Sequence, residues 1–157
     1  MKITLLTVGK TTSKEMKSLI DDYVQRIGHF VNFDLKYLPN QKHTKNLSEN
    51  EVKTAEGLQI LDALSKYQIA VLLDDRGSAM RSMDFAGSIQ KHFNSGQKSI
   101  CYIIGGAYGF SEAVYQAVPK QLSLSKMTLS HQMVRLLFVE QLYRGLAIIN
   151  HLPYHHE

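Results

Sequence analysis

Two stretches, Ile69–Asp74 (IAVLLD) and Ser99–Gly106 (SICYIIGG), are unbroken runs of large apolar and β-branched residues. A strand with one wet face alternates polar and apolar residues. A strand that is apolar at successive positions must be covered on both faces, which is the mark of a central parallel strand. A parallel pair needs a crossover connection, and the segment between these runs has helical spacing. This chain must therefore build a sheet with helices on both sides, an α/β architecture.

The rest of the chain fits that plan. Ile3–Gly9 (ITLLTVG) is an apolar run closed by glycine and predicts a buried strand. Ser13 can cap a helix carrying Met16, Leu19, Ile20, Tyr23, Val24 and Ile27, with Gly28 as its stop. Phe33–Pro39 alternates and predicts a half-buried strand. Gln41–Leu47 is polar and basic, a loop. Ser48 with Glu51 reads as a capping box that opens a helix to about Lys66. After Asp74, DRGSAMRS predicts a turn, then a helix over Met83–Phe93. Ser111 and Glu112 start a short helix that Pro119 ends. Leu122–Ser125 predicts a short strand, and His131–Ile149 a long helix, apolar nearly all round. Such a helix is either deep in a core or pressed on another subunit. In 157 residues, read as one domain spanning 1–157, this predicts a homodimer.

The chain has one cysteine, Cys101, inside an apolar run, which excludes a disulfide framework and predicts an inert core thiol. The start is too short and too strand-like for a secretion signal, and no apolar run reaches membrane-span length. The expectation is a soluble, cytoplasmic protein without membrane contact. A net charge of +4 leans mildly toward a polyanionic partner, but the basic residues form no stripe or tail.

Gly105, Gly106 and Gly109 (IIGGAYG) follow a strand and precede a helix, where open α/β sheets bind ligands. The spacing is neither the dinucleotide fingerprint nor a P-loop. A tight strand-to-helix turn and a ligand loop both remain open on these glycines alone. Three segments, LLDDRG (Leu72–Gly77), IIGGAYG and LSLSKMTLSH (Leu122–His131), each follow a predicted strand. If those strands are neighbours, the segments meet at one sheet edge. Leu73, glycine backbone and the Leu124–Leu129 backbone would then line a pocket suited to a flat base such as adenine.

These elements resemble the RlmH family of SPOUT methyltransferases. The resemblance covers essentially the whole chain and rests on the leucine-acidic strand end, IGGAYG, LSLSKMTLSH, the LYRG helix and the terminal Tyr154-His155. It implies a C-terminal trefoil knot, a homodimer, S-adenosyl-L-methionine as cofactor and 23S rRNA in the assembled 70S ribosome as partner. The target implied is N3 of pseudouridine 1915 in helix 69. Carried over by position, the cofactor contacts are Leu73, Gly105, Leu124, Ser125, Lys126, Met127, Thr128 and Leu129. Some relatives end Tyr-His-Arg or Tyr-His-Lys, whereas this chain ends Tyr154-His155-His156-Glu157, so its last basic group is a pH-dependent histidine.

Methyl transfer from a sulfonium needs an aligned nucleophile and no metal. The target N3–H is weakly acidic, so a proton acceptor helps; His131, His155 and Tyr154 are the candidates. Arg144 can stabilise a developing ring anion or grip phosphate, or simply pair with Glu140 one turn back. His131 can equally cap the helix it precedes. The tail aromatic can stack on a base, or the tail can be loose. Arg135 can reach RNA or brace a dimer. His151, His155 and His156 lack a fourth ligand, so no metal site is expected. Two further readings stay open: a SPOUT enzyme acting on another RNA such as tRNA, and a non-enzymatic ribosome-binding factor that keeps the pocket.

Overall fold

The computed structural model describes residues 1–40 and 47–156. The basic loop expected over Gln41–Leu47 lies outside the described residues except for Leu47. The chain alternates strand and helix throughout: β1 (Lys2–Val8), α1 (Lys14–Gly28), β2 (Asn32–Leu38), α2 (Glu49–Leu64), β3 (Ile69–Ala79), α3 (Ser82–Asn94), β4 (Ser99–Ile104), α4 (Glu112–Ala117), β5 (Gln121–Ser123) and α5 (Met133–Ile149). The five strands form one parallel sheet in the order β2-β1-β4-β3-β5.

The unbroken apolar runs are explained by where successive side chains go. In β4, Ile100, Tyr102 and Ile104 join Ile20 and Ile27 of α1, Phe85 and Ile89 of α3, and Phe138, Leu142 and Leu146 of α5. Their alternates, Cys101 and Ile103, join Ile60 of α2 and Val114 of α4 on the opposite face. Both faces are thus covered. Cys101 is wholly buried, and burial pushes its thiol up to about 12, as an inert core position requires.

The Ser48–Glu51 box forms in full. The Ser48 hydroxyl accepts from the Glu51 N–H at 3.3 Å, and the Glu51 carboxylate accepts from the Ser48 N–H at 2.7 Å. Ser48→Ala is expected to cost ~1 kcal/mol of stability, read as a lower urea midpoint at unchanged slope.

One element differs from expectation. DRGSA is not a turn, because β3 continues through it to Ala79. The strand bulges instead: Leu73 pairs with Leu122, and the pairing with that same residue resumes at Ser78. Asp74 sets the kink, its carboxylate accepting from the Arg76 N–H at 2.9 Å and from the Tyr115 hydroxyl at 2.6 Å. Gly77 completes it, since a Cβ there would lie 2.7 Å from the backbone of Gln121 and Leu122. Asp and Gly signal a turn in isolation, but here the partner strand β5 turns the same residues into a bulge. Strands β4 and β5 each end two residues before their expected bounds, β5 begins one residue earlier, at Gln121, and helix α5 begins two residues later than expected. Arg135 also departs from expectation, for it is fully buried instead of meeting RNA or a dimer partner.

Candidate cofactor pocket and tail cluster

Because β4, β3 and β5 are neighbours in register, their carboxyl ends converge. Between them lies a cavity of about 460 Å³, within the range of small-molecule sites. Leu73, Gly105, Leu124, Ser125, Met127, Thr128 and Leu129 line it as expected, together with Gly106, Phe110, His131 and Val134. Lys126, in the same stretch, does not line it. Met127 sits on the rim and is 78% exposed.

The serines shape the wall. The Ser123 hydroxyl donates to the Ser125 carbonyl at 2.8 Å, and the Ser125 hydroxyl accepts from the Met127 N–H at 2.9 Å. Ser130 accepts from the Met133 N–H at 3.2 Å and so opens α5. A Ser-rich segment can therefore follow a buried strand because its hydroxyls hold its own curled backbone. The glycine loop is equally constrained: a Cβ on Gly106 would lie 2.3 to 2.9 Å from the buried Glu56 carboxylate.

His131 is in the pocket wall. Partial burial, and then the Arg135 charge, push its pKa below the ordinary 6.5. Its unfolded form binds a proton more readily than its folded form, so this group's contribution to stability falls as pH drops below 6.5. An NMR titration of the His131 ring is expected to give a midpoint below that value. Arg135, four residues on, donates from Nη2 to the Val8 carbonyl at 2.8 Å and from Nη1 to the Thr11 hydroxyl at 3.2 Å. Its Nε has no partner, and no described carboxylate pairs with it.

The remaining candidates gather elsewhere. Arg144 forms an ion pair with Glu140 and also donates to it from Nε at 3.1 Å. Its guanidinium lies 4.8 Å from the centre of the Tyr154 ring. The Tyr154 hydroxyl meets Tyr23 at 3.1 Å and donates to Glu140 at 3.2 Å. Burial, then the Tyr23 hydrogen bond and Glu140, raise the Tyr154 pKa. The tail up to His155 is therefore docked on α1 and α5, with His155 Nδ1 buried. Val134 borders the pocket, and Arg144 lies ten residues further along α5, ~15 Å away. One chain thus brings His131 to the cofactor-type pocket but keeps Arg144, Tyr154 and His155 in a second cluster. Sequence reasoning missed Tyr23, whose tie to Tyr154 spans 131 positions and leaves no local signal.

The chain is thus an α/β protein whose parallel sheet carries a pocket made by three strand ends, one of them glycine-rich and one a serine-rich curl. Solved structures share this fold: a probable methylase family protein from Haemophilus influenzae Rd KW20 (TM-score 0.54, 11% identity, 99% of this chain and 70% of that one) and a probable methyltransferase from Bordetella pertussis Tohama I (TM-score 0.55, 15% identity, 92% and 95%). The family model described as predicted SPOUT methyltransferase matches residues 1–155. Proteins called ribosomal RNA large subunit methyltransferase H are 50% identical in Phocaeicola vulgatus and 48% identical in Flavobacterium johnsoniae, each over 100% of both chains. The chain belongs to the RlmH family of SPOUT methyltransferases.

Proposed function

We propose that this protein is the methyltransferase that modifies N3 of pseudouridine 1915 in helix 69 of 23S rRNA on assembled ribosomes, with S-adenosyl-L-methionine as donor. The observation that carries the reading is the pocket itself, walled by the IGGAYG loop and the LSLSKMTLSH curl, in a chain aligned end to end with relatives named for large-subunit rRNA methylation. The residues fit the cofactor. Apolar Leu73, Ile104 and Val134 can sandwich a flat base, while the backbone of the glycine loop and the serine curl supplies polar groups. The bound cofactor supplies a methyl group already activated on a sulfonium.

The chain's own residues supply alignment and charge. His131 lines the pocket, and its lowered pKa favours the neutral ring that would accept the N3 proton. Arg144 holds a permanent cation, pre-aimed by Glu140, for the ring anion or an adjacent phosphate. Its separation from the pocket within one chain favours a two-fold homodimer in which the partner's Arg144, Tyr154 and His155 complete the site. Met127, 78% exposed, gives the pocket mouth an apolar rim for that contact. No helix among the described residues is long and apolar enough to cross a membrane.

The test is mass spectrometry of rRNA from a strain without the gene, with purified protein added back to its intact ribosomes, free rRNA and free tRNA in parallel. The methyl mark should be missing, and only ribosomes should regain it. An unchanged rRNA, or methylation of tRNA alone, defeats the proposal.

A further inference from the structure

We propose that the Gly9–Ser13 loop, which leaves β1 beside the pocket, together with Lys14 at the start of α1, seats the phosphate backbone of the substrate RNA, with Lys10 and Lys14 as the cationic contacts. The inference rests on the reading of the substrate as RNA.

Strand β1 lies next to β4, so this loop emerges at the same sheet edge as the glycine loop of the pocket. Two residues just beyond His131, Gln132 and Arg135, hold it. Gln132 accepts from the Thr12 N–H at 3.1 Å and donates to the Lys10 carbonyl at 3.2 Å. Arg135 holds the Val8 carbonyl and the Thr11 hydroxyl. The backbone from Val8 to Thr12 is thereby fixed to the pocket wall across more than a hundred residues of sequence. The side chains of Lys10, Thr12 and Lys14 remain exposed, and neither lysine is ion-paired with a described residue. The acid of this segment, Glu15, is drawn onto the Ser13 hydroxyl at 2.9 Å.

Arg135 is the second, independent observation. A neutral amide could hold the Val8 carbonyl. Instead the fold places under the loop a guanidinium that is 0% exposed, lacks a carboxylate and leaves Nε unpartnered. Burying an uncompensated cation costs several kcal/mol. What it provides is positive potential directed into the loop, which is useful only if an anion lies on the other side. An exposed lysine and threonine hydroxyl in one fixed loop, with a second lysine at the helix start that follows, match phosphate oxygens, and phosphate contacts position a nucleic acid without reading its sequence. A base delivered to the pocket brings its own backbone within reach of this loop.

The experiment compares the full-length protein with its Lys10→Ala/Lys14→Ala and Lys10→Arg/Lys14→Arg variants. Affinity for ribosomes from the deletion strain is measured across ~50 to ~200 mM salt. In the alanine variant the plot of log affinity against log salt should flatten by about 0.7–0.9 per lost phosphate contact. Affinity for S-adenosylhomocysteine and the unfolding midpoint should stay at wild-type values, and the arginine variant should keep the wild-type slope. A wild-type protein that methylates ribosomes while the alanine variant retains the same slope overturns this inference alone. A slope lost equally in the arginine variant overturns it too. A wild-type protein that binds neither ribosomes, free rRNA nor tRNA removes the RNA reading as well.

Discussion

Arg144→Ala is expected to slow methyl transfer to ribosomes by about 10²–10³-fold, the usual loss when one fixed donor to a developing anion is removed. Cofactor affinity should change little, because Arg144 does not line the cavity of its own chain and its proposed role at the partner's site is toward the target ring or phosphate. Stability should change little, since a partly exposed i,i+4 ion pair contributes at most about 1 kcal/mol. Arg144→Lys should recover little activity: the Glu140 pair and the Tyr154 stack both use the flat, forked guanidinium, which an ammonium does not reproduce. Single-turnover transfer to ribosomes, measured beside S-adenosylhomocysteine binding, separates these effects. A near-wild-type rate would remove Arg144 from the chemistry.

Gly77→Ala should damage the pocket from outside it. The added Cβ meets backbone, not a flexible side chain, at 2.7 Å from Gln121 and Leu122. Either β5 moves or β3 loses its bulge, and overpacking of this kind costs roughly 1–3 kcal/mol. Because β5 runs straight into the Leu124–Leu129 wall, displacement is transmitted to the cofactor contacts. Calorimetric melting should show a lowered midpoint, and titration should show weakened S-adenosylhomocysteine binding. Stability loss with intact binding would mean that the curl is positioned by α5 alone.

Much of this architecture is legible in the sequence, for specific reasons. The IAVLLD and SICYIIGG runs announce two-sided burial, and Ser48–Glu51 announces a helix start that forms as expected. The three strand-end segments can be joined into a pocket because parallel neighbours put their loops on one edge. What is not legible depends on distant partners. DRGSA looks like a turn until β5 lies against it. Arg135 looks like a surface cation until Val8 and Thr11 close over it. Tyr23 shows no function until the tail folds back 131 positions. A knot leaves no mark on periodicity or composition, so the expectation of one rests on resemblance alone.

The strand order has a consequence for synthesis. Strand β1 is interior to the sheet, yet one of its two neighbours is β4, where Lys2 pairs with Ser99. At ~5–20 residues per second, translation leaves β1 waiting ~5–20 s for that neighbour. Throughout that interval the nascent chain carries an apolar strand with a bare hydrogen-bonding edge. The maturation of this small enzyme is therefore expected to be more sensitive to chaperone supply than its size suggests.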